Sequence, residues 1–515
     1  MKLGTIVIRA DASVEIGTGH VMRCLALAQA WQDAGGTAIF ALASATPFLL
    51  ARLSAEKFQH ECIPAGTGSP EDAGFTVELG RSHRANWIVL DGYAFGPEYQ
   101  RQIKASGAKL ISIDDNVDAG EFHADIVLNQ NVHACEAMYS RRDPETRLLL
   151  GPRFAILRRE FKPWRGWRRE IPSAARRVLI TMGGSDPLDV GSRVLRALSS
   201  LDLDALEIRV ATGGSNPRIL TLQQLCEKFP AVAQLEVDAN MPDLMAWADL
   251  AVAAAGSTCW ELCLLGLPAI VVDAAQNQLA IARELSRLEI AVHVPLLQAS
   301  RETLAEQIHS LALNAELRAA MSQKAAGLVD GRGAERVVAA MIAEELTVRR
   351  VQEQDCRMLW DWANDPAVRH VSFNSAPIPW TEHRDWFLKQ SNDAGSLLLM
   401  LEHDQLGPVA TVRFHPRGDF ASEISLTISP EWRGLGLAVH VLEKAVAAAF
   451  EQSSRQTLHA FVKPENKASA QAFWSAGFFL EETTQVNGSE AMHFTLDRSP
   501  HGTAPRAAVE EVQCG

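Results

Sequence analysis

Thr5-Ile6-Val7-Ile8-Arg9-Ala10-Asp11-Ala12-Ser13-Val14-Glu15-Ile16-Gly17-Thr18-Gly19-His20-Val21-Met22-Arg23-Cys24 packs a strand, a turn and a helix start into one short stretch. The run before Arg9 is apolar without alternation, as in a strand covered on both faces. Gly17 and Gly19 interrupt it, and residues 20–34 follow with helical spacing of apolar side chains. The same strand-then-helix rhythm recurs along the chain. Strands are expected at 5–10, 37–42, 87–90, 109–113 and 126–129. After a Trp- and Arg-rich stretch (163–177) they recur at 178–182, 206–211, 234–237, 250–254 and 269–272, with a helix at 242–248. Three helical patterns to about residue 345 close this part. Such alternation means parallel sheets with helices on both faces. Two blocks predict two doubly wound Rossmann-like lobes facing a ligand cleft, residues 1–160 and 161–345.

The rhythm changes at Leu346. A strand (347–351), a Trp-rich helical region (355–386), three antiparallel-looking strands (396–401, 409–414, 423–428) and a helix (435–450) read as a separate α+β domain, 346–498. The 499–515 tail is rich in Ala, Pro and Glu and reads as disordered. The full chain of 515 residues suits several domains, and 47% hydrophobic with 22% charged residues is globular. A net charge of −13 argues against a nucleic-acid or anionic-membrane binder. The start has no signal-peptide core, and the longest apolar stretch, 262–272, is too short for a membrane span of ~20 residues. Eight scattered cysteines without a CxxC pair read as free thiols, which points to a cytoplasmic location. Cys259 and Cys263, four apart, read as packed helix thiols rather than metal ligands. Of 3 tyrosines, all (Tyr93, Tyr99, Tyr139) lie in the first third, so chemistry later in the chain must work without a phenol.

Loops at the carboxyl ends of parallel strands face the cleft, and Gly17 and Gly19 let backbone approach a ligand there. His20 begins the helix, where the local field favours a neutral imidazole able to take a proton. Asp11 is the expected orienting group for it; the competing reading is a structural histidine in a glycine-rich turn. Residues 9–13 and 16–25 resemble the opening of the UDP-sugar hydrolases of pseudaminic acid biosynthesis. That family is related to the spore-coat polysaccharide group and more distantly to GT-B glycosyltransferases. The resemblance covers about residues 3–345. It implies a GT-B-like pair of lobes, His20 as general base, and Arg9, Gly17, Gly19 and Arg23 around the substrate.

Gly183 and Gly184 follow the first strand of the second block, and Gly213–Asn216 forms a similar loop. Gly256, Ser257 and Thr258 lead into a helix with Glu261 one turn in, a pattern suited to a diphosphate and two ribose hydroxyls. This arrangement resembles the UDP-binding segment of GT-B enzymes, and Asn277 matches a family position near sugar and phosphate. Asp91-Gly92-Tyr93 and Asp114-Asp115 tip two apolar strands. The resemblance puts Tyr93 by the substrate. The paired aspartates could cap a turn or hold a divalent ion; no required metal is expected.

In the last domain, Ile428 precedes Arg433-Gly434-Leu435-Gly436-Leu437-Ala438, a loop whose inward amides suit a pyrophosphate. Asn466, Ser469 and Phe473 lie in a second segment ending at Phe478. Together they resemble the two signature segments of GNAT acetyltransferases, which implies acetyl-CoA as co-substrate. Residues 360–387 resemble the 4-amino-sugar acetyltransferase of the same pathway. Many GNAT enzymes carry a tyrosine where Phe473 stands. Glu423 is the candidate for deprotonating the substrate ammonium, against a plain surface carboxylate, with His383 and His415 as alternatives. The two resemblances imply a bifunctional enzyme: N-acetylation of a UDP-4-amino sugar, then hydrolytic release of UDP, in the setting of flagellin glycosylation. A UDP-sugar-dependent glycosyltransferase fused to an acetyltransferase is the alternative, and a nucleotide-sugar-binding regulator the third reading. Oligomeric state is left open.

Overall fold

A computed structural model describes residues 3–498 except 14, 15, 202–205, 215, 230 and 394, so the 499–515 tail lies outside the described residues. The chain divides into two compact units, one running from Leu3 to Val337 and the other from Val338 onward.

The first unit holds two parallel sheets. One contains β1 (Thr5–Ala10), β2 (Thr37–Leu42), β3 (Gln59–Cys62), β4 (Ala85–Asp91), β5 (Lys109–Ile113), β6 (Ile126–Asn129) and β7 (Arg147–Leu150), in the order β3-β2-β1-β4-β5-β6-β7. The other contains β8 (Arg177–Thr181), β9 (Glu207–Thr212), β10 (Val232–Val237), β11 (Leu250–Ala254), β12 (Ala269–Val272) and β13 (Ala291–Val294), in the order β10-β9-β8-β11-β12-β13. The central strands are buried along almost their whole length, which is why they carry no polar alternation. Strand order reverses between β1 and β4 and again between β8 and β11. The loops leaving those four strands therefore open onto ligand-binding positions. The two lobes expected from the alternation are present. β3, β7 and β13 were not expected; β3 is exposed throughout, so its sequence carries no burial pattern.

The second unit is one seven-stranded sheet: β14 (Thr347–Arg350), β15 (Leu397–His403), β16 (Gly407–Pro416), β17 (Ala421–Ile428), β18 (Thr457–Val462), β19 (Phe479–Val486) and β20 (Ser489–Asp497), ordered β14-β15-β16-β17-β18-β20-β19. All neighbours are antiparallel except β17 and β18. That parallel pairing covers only Ala421–Glu423 against Thr457–His459. Beyond it the strands fork, leaving the β18-facing edge of Ile424–Ile428 without a sheet partner. No helix among the described residues is long and apolar enough to cross a membrane.

Candidate active sites

In the first unit a cleft of about 960 Å³ lies between the two sheets and is lined by the loops after β1, β4, β8 and β11. His20 begins the helix Gly19–Asp33 and is buried at the cleft wall. Its Nδ1 lies 2.6 Å from Asp91 Oδ1, at the end of β4. Arg23, one turn further along the helix, donates Nε to Asp91 Oδ2 at 2.7 Å and Nη2 to Asp91 Oδ1 at 2.6 Å. Its Nη1 reaches both oxygens of Asp115 at 2.8 and 2.9 Å. Asn131 Nδ2 donates to Asp115 Oδ1 at 2.9 Å.

Burial alone would raise Asp91, but Arg23 and then His20 hold its carboxyl well below the usual range. Asp115 is likewise lowered, mainly by Arg23, against the penalty of burial. The short carboxylate contact places the proton of a neutral His20 on Nδ1 and leaves Nε2 as an acceptor. One guanidinium against two carboxylates leaves one buried negative charge beside His20 Nδ1.

Two expectations are corrected here. Asp11 does not orient His20. It pairs with Arg9 at 2.8 Å and accepts from Thr67 Oγ1 at 2.7 Å and the amides of Ala43 and Ser44 at 2.7 and 2.9 Å. Arg9 is not at the substrate: it is fully buried, with Nε and Nη2 on Asp72 at 2.8 and 2.9 Å. Both residues lie where β1 runs into its loop, and strand alternation turns them to the face away from His20. Arg23 does line the cleft, but its donors are spent on Asp91 and Asp115, so it braces the histidine instead of meeting a phosphate.

Tyr93 stands edge-on to His20, ring centres 4.8 Å apart, and partly exposed to the cleft. Its hydroxyl accepts from Asn277 Nδ2 at 2.7 Å, a bond that crosses from one lobe to the other. Burial, and then the charge of Asp115, push the phenol up to about 12, so it stays protonated at neutral pH.

Opposite, Gly183 takes a left-handed φ of +81°. A Cβ on Gly184 would come within 2.5 Å of Thr18 Oγ1, so the glycine loops of the two lobes approach each other across the cleft. Gly17, Gly19, Gly256, Ser257, Thr258 and Glu261 all line the same space. Ser257 precedes the short helix Thr258–Leu264 without a side-chain cap bond. Glu261 is buried and meets Arg158 Nη2 at 3.0 Å; burial raises its carboxyl and Arg158 pulls it back. Arg158 Nε also donates to Glu160 at 2.8 Å, and Glu160 holds Arg52 at 2.9 Å. Sequence reading missed this charged rim. Its only signal was the density of arginines near residue 158.

Asp114 accepts from Tyr139 at 2.7 Å and from the amides of Val117 and Asp118, so the Asp114–Asp115 pair is fully engaged with protein donors. Cys259 and Cys263 are both buried. Burial, together with each other's charge for Cys259, pushes both thiols up.

In the second unit, Gly434 (φ +73°) and Gly436 (φ +85°) turn the loop between β17 and the helix Leu437–Glu451. Only glycine takes such angles without strain, and the turn aims successive amides at one point. Arg433 does not point outward as a phosphate ligand would: Nε donates to Ile428 O at 2.8 Å and Nη1 meets Asp365 at 2.8 Å. Its Nη2 is buried without a partner. Leu437 is buried, and Ile428 and Ala438 are partly so.

Asn466 Oδ1 caps the helix Lys467–Ser475 by accepting from Ser469 N at 3.2 Å. Phe473 is corrected from ligand contact to core. It is buried against Phe478 and Phe494, ring centres 5.0 and 6.3 Å away. Glu423 sits where β17 and β18 begin to fork, opposite His415 and His459, with Arg417 Nη1 at 3.5 Å. It lies on an interior strand of the sheet, not an edge. His383 is buried among Trp380, Trp386 and Phe387. His415 reaches Gln390 at 3.3 Å.

Two family models match the chain: the Glycosyltransferase family 28 C-terminal domain over residues 177–337 and the Acetyltransferase (GNAT) domain over residues 345–478. An uncharacterized protein of Methanocaldococcus jannaschii is 24% identical over 493 residues, covering 92% of this chain and 96% of that protein. The spore coat polysaccharide biosynthesis protein SpsG of Bacillus subtilis is 25% identical over 342 residues, covering 65% of this chain and 96% of its own length. The UDP-2,4-diacetamido-2,4,6-trideoxy-beta-L-altropyranose hydrolase of Campylobacter jejuni is 24% identical over 284 residues, covering 55% of this chain and 96% of its own length. The resemblances to a UDP-sugar hydrolase and to GNAT acetyltransferases thus recur in these comparisons. The chain joins a glycosyltransferase-28-like unit to a GNAT unit.

Proposed function

We propose that this chain performs two consecutive steps on one UDP-linked sugar. The second unit transfers acetyl from acetyl-CoA to a 4-amino group, and the first unit then releases UDP from the diacetamido sugar by hydrolysis. The similarity to the Campylobacter hydrolase supports the water-dependent reading of the first unit. The observation that carries it is the His20–Asp91 pair, held by Arg23 and facing glycine loops of the opposite lobe.

In this reading His20 Nε2 takes a proton from water as the water attacks the anomeric carbon. The bond from that carbon to the diphosphate oxygen breaks and UDP leaves. Gly183, Gly184, Gly256, Ser257 and Thr258 receive the diphosphate, whose developing charge meets backbone amides. Glu261, held by Arg158, accepts from the ribose hydroxyls. Tyr93 and Asn277 position the sugar from opposite walls. In the second unit the Gly434–Gly436 turn receives the pyrophosphate of acetyl-CoA, and the fork between β17 and β18 receives its arm. Glu423, beside Arg417, faces the incoming ammonium.

The test is incubation of the protein with a UDP-4-amino-4,6-dideoxy-N-acetyl-altrosamine and acetyl-CoA, followed by NMR. Free diacetamido sugar plus UDP is the expected outcome. UDP release that needs an added sugar acceptor would favour the glycosyltransferase alternative, which the family 28 match on residues 177–337 keeps in view. Loss of UDP release with retained acetylation in His20→Ala is also expected.

A further inference from the structure

We infer that the proton acceptor of the acetyl-transfer step is the hydrogen-bonded imidazole pair His459–His493, at the fork of β17 and β18; this rests on the acetyltransferase reading above. His459 Nδ1 lies 2.9 Å from His493 Nε2. His459 ends the paired part of β18, directly across from Glu423. Paired residues of a sheet share a face, so His415, Glu423 and His459 lie side by side. Arg413, on the same face of β16, stacks on Trp386 of the helix Trp380–Asn392.

The distance from the glycine turn decides what can meet here. Ile428 ends β17 at that turn, and Glu423 is five residues back. At ~3.3 Å per residue the unpaired edge runs roughly 17 Å. An extended amide-bearing arm leaving a pyrophosphate at the turn can pair with that open edge. Its thioester end then arrives where the strands rejoin, at Glu423 and His459.

The pair is built to hold one proton. If His459 donates from Nδ1 to His493, its Nε2 is an acceptor, and no protein partner occupies that atom among the described residues. When Nε2 takes a proton, the cation keeps its bond to His493, whose Nδ1 faces Glu482 at 3.8 Å and Glu481 at 3.9 Å. His493 is thus a positioning residue that sets the tautomer. Burial, then His493 and Arg417, lower His459, while Glu481 and Asp497 act in the opposite sense. The imidazole is therefore unprotonated near neutrality and ready to accept.

The step balances. The substrate ammonium gives one proton to His459 Nε2, and the free amine attacks the thioester carbonyl. The C–N bond forms, the C–S bond breaks, and the second nitrogen proton ends on the CoA thiolate. The pair returns its proton to solvent.

The experiment follows CoA thiol release by the full chain, with the UDP-4-amino sugar and acetyl-CoA, from pH 5.5 to 9. His459→Gln is expected to lower kcat about 10²–10³-fold with acetyl-CoA affinity within twofold, in line with general base catalysis. His493→Gln replaces the imidazole that holds the His459 Nδ1 proton, so the acid limb of kcat should shift. A structural role for His493 would not move that limb. An unmoved limb, or near-normal kcat in His459→Gln, overturns the inference alone. No thiol release by the unmodified chain overturns the acetyltransferase reading with it.

Discussion

Asp91→Asn keeps the shape of the side chain and removes its charge. Asp91 Oδ1 now faces His20 Nδ1 and Arg23 Nη2, both at 2.6 Å, and Oδ2 faces Arg23 Nε at 2.7 Å. An amide has a single acceptor oxygen. If that oxygen takes the Oδ2 place and accepts from Arg23 Nε, the NH2 group faces His20 Nδ1 and Arg23 Nη2, and donors meet. The ring relieves this by moving its proton to Nε2, the atom that must accept from water. The expected loss in UDP release is about 10²–10⁴-fold, or ~3–5 kcal/mol of transition-state stabilisation. Arg23 keeps both bonds to Asp115, so the fold should lose only about 1–3 kcal/mol. The assay measures initial rates of UDP release from the diacetamido UDP-sugar between pH 6 and 9. UDP affinity by calorimetry and acetyl transfer by the same sample serve as integrity checks. Asp11→Asn is the control, because Asp11 binds Arg9 and Thr67, not His20; it should cost stability and leave release near normal in the folded protein. A folded Asp91→Asn protein releasing UDP within threefold of normal would refute the dyad. So would an Asp11→Asn protein as inactive as Asp91→Asn.

Gly184→Ala should depress UDP-sugar affinity at least tenfold, because its Cβ would sit 2.5 Å from Thr18 Oγ1; Thr18→Ala in the same chain should restore most of it, as read by calorimetry. Gly436→Ala forces a side chain into a φ of +85°, a cost of ~1–2 kcal/mol, and should weaken acetyl-CoA binding about 5–30-fold while sparing UDP release. Acid should destabilise the first unit through Asp11, Asp91 and Asp115, each held below its ordinary range when folded. The unfolded chain takes up protons first, so the stability these groups contribute is present above about pH 4 and is lost as pH falls below it. Scanning calorimetry from pH 7 to 3 should show this drop, and Asp91→Asn should shrink it.

Much of the fold was legible because burial writes a pattern. β1, β2, β5, β6, β11 and β12 are continuous apolar runs bounded by turn residues, and they stand at 5–10, 37–42, 109–113, 126–129, 250–254 and 269–272 as read. β3 was not legible: Gln59-His60-Glu61-Cys62 is exposed, and an edge strand held by backbone bonds leaves no trace in side-chain hydrophobicity. The glycine loops and His20 were legible as local motifs, since a turn and a helix start are set by neighbours in sequence. The partners of those residues were not. Asp91 lies 71 residues from His20, yet it supplies the carboxylate that nearby Asp11 was expected to give. Arg158 reaches Glu261, 103 positions further on, and His493 reaches His459 across the β18–β20 pairing. By itself the sequence determined the buried central strands and the helices between them, the two kinds of unit and the histidine, because propensity, periodicity and turn chemistry act over a few residues. Only the tertiary structure decided which carboxylate meets that histidine, which arginine is spent on bracing it, and which face of a strand looks into the cleft. Those are contacts between distant segments, fixed by sheet register and helix docking, and a Coulomb or hydrogen-bond partner within 3 Å leaves no periodic signal along the chain.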